Sequence, residues 1–63
     1  MEKIEISFIE EDRKIVIKEI NSLGYDYDYA PYSHNVIIID DIAPNDKEKF
    51  ICFLDEREIS WGN

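Results

Sequence analysis

Residues 25–29 read Tyr-Asp-Tyr-Asp-Tyr, a strict alternation of large rings and short acids. A strand points successive side chains to opposite faces, so the run sorts itself there: tyrosines on one side, aspartates on the other. A helix would scatter both types around its surface. After "PYSHN", a second strand-like run follows, "NVIIID" (35–40). If "YDYDYA" (25–30) pairs with it through residues 30 and 36, Tyr29 falls opposite Ile37 and Tyr27 opposite Ile39. Asp28 then falls opposite Ile38, and Asp26 opposite Asp40. One face of the hairpin is Tyr/Ile and the other mostly acidic, and a slip of one residue would mix them. The tyrosines are expected to face a core, with their hydroxyls wet at the sheet edge.

The rest of the chain supplies partners for that hairpin. "KIEISF" (3–8) alternates with period two, placing Ile4, Ile6 and Phe8 on one face and Lys3, Glu5 and Ser7 on the other. Residues 10–23 fit a helix: Ile9, Val16, Ile17, Ile20 and Leu23 share one side, acids fill the first turn and Gly24 ends it. "KIVIK" also alternates and is β-branched, which leaves a β-hairpin over 13–20 as the rival solution. "PNDKEKFICFLDERE" (44–58) predicts a second helix, with Asn45 as N-cap, Glu48 three residues on, and a stripe of Phe50, Ile51, Phe53 and Leu54. "EISW" (58–61) either forms a fourth strand that directs Ile59 and Trp61 to the core, or extends this helix.

The expected fold is therefore a two-layer α+β domain of order βαββα(β), a small antiparallel sheet with two helices on one face. This order resembles a compact ferredoxin-like unit, whole or truncated before its last strand. The resemblance implies an uncovered sheet face carrying Lys3, Glu5, Ser7, Asp26, Asp28, Val36, Ile38 and Asp40. Small metal-carrying domains of that shape bear a CxxC in the first loop, where this chain reads "FIEED".

Size and charge limit what such a domain does. At 63 residues the chain has room for one domain, residues 1–63, and buries only about 60% of the surface its unfolded form exposes. Cys52 is the one cysteine and His34 the one histidine, so neither an internal disulfide nor a structural zinc site is expected. A net charge of −8 repels nucleic acids and anionic membranes and favours a basic partner. The sequence has no signal-peptide pattern and no span long enough for a bilayer, and a cytoplasmic location is expected.

Candidate chemistry is sparse. The YDYDY run could stack bases, but stacking modules interleave aromatics with Lys and Arg, not Asp. Cys52 would sit one helical turn from both Glu48 and Glu56, carboxylates that disfavour a reactive thiolate. Asp40 and Asp41 could hold a hard cation only with further converging oxygens, which no motif supplies. "EED" (10–12) reads as dipole compensation. No catalytic residue, cofactor or metal is expected.

What remains is the acidic face. The expectation is a non-enzymatic protein-binding module that docks on a basic protein without touching nucleic acid itself; its sharpest version is an inhibitor of phage type, or a nucleic-acid mimic, whose partner is itself nucleic-acid-binding. Glu5, Asp26, Asp28 and Asp40 would supply charge; Tyr32, Val36 and Ile38 would supply apolar anchors. The alternative is a small regulatory or ligand-sensing ferredoxin-like module that forms a homodimer through its sheet.

Overall fold

Period-two alternation in the first strand and 3.6-residue periodicity after it produce two layers. The computed structural model describes residues 2–62. β1 (Glu2–Ser7) leads through a 3-10 turn at Glu10–Asp12 into α1 (Arg13–Leu23). β2 (Asp28–Tyr29), β3 (Val36–Ile42), α2 (Pro44–Glu56) and β4 (Ser60–Gly62) complete the chain. The four strands form one antiparallel sheet in the order β2-β3-β1-β4. The domain is α+β, and residues 13–23 are helix, not hairpin.

Ile4 and Ile6 of β1 pair with Ile39 and Ile37 of β3, and all four are buried. Val16 and Ile20 of α1 and Phe50 and Leu54 of α2 close over the same side in a single core cluster. Both helices therefore cover one sheet face, and the other is left open.

The hairpin register follows parity. Tyr29 pairs with Ile37, Asp28 with Ile38, and the Ala30 amide donates to the Val36 carbonyl at 2.9 Å. The strand is shorter than its alternation suggests, however, with only two residues in the ladder. Pairing of Tyr27 with Ile39 and of Asp26 with Asp40 is not formed. Tyr25 and Tyr27 pack on the core, while Tyr29, on the same side, stays 41% exposed.

β3 runs two residues beyond "NVIIID" because of a bulge. From Ile4 back to Glu2, β1 advances two residues while β3 advances three, from Ile39 to Ile42. Asp40 and Asp41 together oppose one residue of β1, and both are exposed. The extra residue returns Ile42 to the helix face, where it is fully buried. Strict alternation would have put it on the open face.

Three end details differ from expectation. Ile9 precedes the helix in extended conformation and is 60% exposed, so it leaves the apolar stripe. α2 starts at Pro44, whose fixed φ suits a first helical position, and Ala43 occupies the cap position in place of Asn45. Neither Asn45 nor any other side chain caps it. Ile59 is buried as expected, but Trp61 is only partly covered, its indole Nε1 donating to Asp55 Oδ1 at 2.9 Å.

Both helices close with the same wrapped turn. The Tyr25 amide donates to Ile20 O and the Gly24 amide to Asn21 O, with Gly24 at φ +83°. At α2 the Ile59 amide donates to Leu54 O and the Glu58 amide to Asp55 O, with Glu58 at φ +56°. In each case the residue after the left-handed position packs back on the core, the apolar contact that accompanies this motif.

Candidate functional site: the open sheet face

Cross-strand pairing assembles the open face in rows. Glu5 pairs with Ile38 on one side and Gly62 on the other, and Ile38 pairs in turn with Asp28. Gly62, Glu5, Ile38 and Asp28 thus form one row across all four strands. Glu5 and Asp28 stand two strand spacings apart, roughly 10 Å. Ser60, Ser7 and Val36 form the adjacent row. Val36, Ile38 and Glu5 are half-buried and Asp28 is exposed.

Tyr32 belongs to this face, although it lies in the loop between β2 and β3. Its hydroxyl donates to Glu5 Oε1 at 2.9 Å, reaching a strand beyond β3, while the residue remains 71% exposed. Hydrogen bonding to the Glu5 carboxylate, partial desolvation and the carboxylate charge raise the Tyr32 pKa above the ordinary tyrosine value. The exposed ring is consequently tied in place.

Asp26 and Asp40 reach the face differently from expectation. They do not pair, but with Asp28 and Asp41 they line a shallow cleft of about 350 Å³ between the β2 approach and the bulge, with Gly24, Tyr25, Tyr27 and Ile38. All four carboxylates are exposed. Among the described residues no group of three or more His, Cys, Asp or Glu side chains could hold a metal ion.

The tyrosines of the YDYDY run are not a stacking platform, because they lie on the helix side. Tyr27 and Tyr29 meet edge to face at 6.0 Å. The Tyr25 hydroxyl donates to Asp46 Oδ2 at 2.5 Å and accepts from the Ala43 amide at 3.2 Å, joining the end of α1 to the start of α2. The Asp46 hydrogen bond is the main reason its pKa is raised. Cys52 is exposed on α2, and His34 is exposed in the hairpin loop.

Arg13 was not singled out by sequence, yet it organises the end of the molecule beside the open face. Its Nε donates to Glu10 Oε2 at 2.7 Å and Nη1 to the Tyr29 hydroxyl at 2.7 Å. Nη2 is shared among Glu10 Oε1, the His34 carbonyl and Asn35 Oδ1 at 2.9–3.0 Å. The guanidinium also lies over the Phe8 and Tyr29 rings, 5.2 and 5.3 Å from their centroids. This clamp fixes the loop that carries Tyr32. A signal was present: a cation as the first residue of a helix opposes the helix dipole, so it requires a local partner.

No helix among the described residues is long and apolar enough to cross a membrane. Compared with known proteins, the chain matches no family model, and no curated protein or solved structure is significantly similar to it.

Proposed function

We propose that the chain is a non-enzymatic binding module that docks its open sheet face on a basic protein. One observation carries this reading: Glu5, Ile38 and Asp28 stand in one row on a face that neither helix covers. Asp26 and Asp40 extend the negative charge at the β2 end, and Tyr32, Val36 and Ile38 supply apolar area between the acids. The two ion pairs among the described residues, Arg13–Glu10 and Lys47–Glu2, neutralise none of these face carboxylates.

The sharpest form of the reading is an inhibitor that occupies a surface otherwise holding a nucleic acid. Carboxylates fixed on strands present negative charge at regular intervals, as a phosphate backbone does. We read the architecture as a compact ferredoxin-like unit, supported by the β-α-β-β-α-β succession and by the two helices sharing one sheet face. That arrangement leaves the second face for recognition.

The test is affinity capture from a lysate at low and high salt, comparing wild type with Asp26→Asn/Asp28→Asn/Asp40→Asn. The expected result is a basic protein that elutes with salt, is lost in the variant, and is displaced by DNA or RNA. A partner held equally by both proteins at both salts would move the interface off this face and refute the reading.

A further inference from the structure

The open face has a centre, and its chemistry is narrower than negative charge. Tyr32 is 71% exposed, but its hydroxyl is held by Glu5, so the orientation of the ring is fixed before any partner arrives. A preorganised side chain avoids the entropy loss that an exposed aromatic otherwise suffers on binding. Glu5 Oε1 accepts from Tyr32, and an ionised carboxylate has about four lone-pair sites, so acceptor capacity remains.

Space beside Glu5 is also open. Its neighbour on β4 is Gly62, and a Cβ built there would meet no atom within 4 Å. On the other side Ile38 offers a half-buried aliphatic surface. A ring face, a carboxylate with free lone pairs and an aliphatic floor converge at one place.

That set matches a guanidinium on an alkyl stem. Arginine is planar, stacks on aromatic faces and forks onto carboxylates, whereas the ammonium of lysine is a compact, strongly hydrated charge. The same chemistry already occurs within the molecule, where Arg13 lies over the Tyr29 ring and bonds the Glu10 carboxylate. We infer that the open face seats an arginine side chain of a protein partner, its guanidinium on the Tyr32 ring and the free lone pairs of Glu5, its stem over Ile38. This rests on the docking reading above and specifies the residue that the partner must present.

Two synthetic peptides test it, one of Gly-Ser-Arg repeats and one of Gly-Ser-Lys repeats with equal length and charge. Each is titrated into isotopically labelled protein at about 150 mM salt, where long-range attraction is largely screened. Both should shift the amide signals of Glu5, Ile38 and Asp28. The arginine peptide should bind about three- to fivefold more tightly, the factor that an exposed cation–π contact supplies. Tyr32→Leu, a change at an exposed loop position, should erase that difference while weaker, salt-sensitive binding persists. Glu5→Gln should weaken both peptides.

Equal affinities, or an arginine preference that survives Tyr32→Leu, would overturn the arginine seat while leaving the docking reading intact. Absence of open-face shifts with either peptide would overturn both.

Discussion

The behaviour of single residues here is set by a few polar side chains that bridge elements distant in sequence. Glu10 has its pKa lowered, chiefly by its hydrogen bond from Arg13. The stability this pair contributes is therefore present above the ordinary glutamate value of 4.5 and is lost as pH falls through the lower folded value. Tyr25 and Tyr32 act in the opposite sense. Their folded pKa values lie above 10.0, so their hydrogen bonds stabilise fully below about pH 10 and are lost as pH rises through the folded values. Subtracting the ultraviolet tyrosinate titration of Tyr32→Phe from that of wild type should give a midpoint above 10. A midpoint at or below 10 would mean that the Glu5 contact does not persist in solution. Backbone conformation gives a second residue-level prediction. Glu58 holds φ +56°, a conformation that costs a non-glycine residue about 1 kcal/mol or more. Glu58→Gly should raise stability by about 0.5–1 kcal/mol in urea unfolding, because part of the relief is offset by the greater freedom of glycine in the unfolded chain. At the matching position of α1, Gly24→Ala should lower it by about 1 kcal/mol. No atom lies within 4 Å of the new Cβ, so that loss would be conformational and not steric.

Among the elements, β3 decides most, because its bulge sets which face its last residues occupy. Inserting one alanine after Asp41 would place the new residue at the inward position opposite Glu2 and turn Ile42 to the open face. Exposing Ile42 would forfeit about 1.5–3 kcal/mol and would also misdirect Pro44 and the start of α2. A single-core domain of this size rarely holds more than about 3–5 kcal/mol, so the insertion variant should be largely unfolded by circular dichroism at 25 °C. Asp41→Asn, which keeps the residue count and so the register, should change stability by less than about 0.5 kcal/mol. A folded insertion variant would show that the bulge absorbs a further residue without losing the register. The same strand shows where the sequence was legible. Pairing of Tyr29 with Ile37 and Asp28 with Ile38 could be read from parity alone, because one face is buried and a slip would bury acids. The bulge is also written there, as adjacent acids with Ile42 in the wrong parity beyond them, but an alternating pattern that ends at Asp40 does not reach it. Ile9 misled because its helical phase matched the stripe, although three acids after it wind a 3-10 turn first. Asn45 misled because a proline that fits a first helical position outweighed a capping side chain. The open face was predictable as far as alternation placed Glu5, Asp28, Val36 and Ile38. The Tyr32–Glu5 and Arg13 contacts were not, since they join residues 27 and up to 22 positions apart through a loop whose path no local pattern specifies.

For the whole molecule, shape and charge make opposing demands. The radius of gyration is 10.5 Å, against about 10.6 Å expected for a compact domain of 63 residues, so the core is closed without a partner. Yet the net charge of −8 is confined to a body of 27 × 25 × 19 Å. The Debye length is about 30 Å at 0.01 M ionic strength and about 8 Å at 0.15 M. At the lower salt nearly every acid senses every other across the molecule, whereas at the higher salt only neighbours interact. Self-repulsion weakens the compact state, so the melting temperature should rise by a few degrees between these two conditions. Affinity for a basic partner should move the other way, because the attraction that steers docking is screened by the same ions. One variable then strengthens the fold and weakens the complex. Asp26→Asn/Asp28→Asn/Asp40→Asn should flatten both dependences together, since it removes three charges that repel within the molecule and that, in the proposed docking, attract the partner. A melting temperature that falls with added salt would instead mean that local pairs such as Arg13–Glu10 outweigh the net charge. In that case the acidic face could not be the main source of electrostatic strain, and neutralising it would alter binding without relieving the fold.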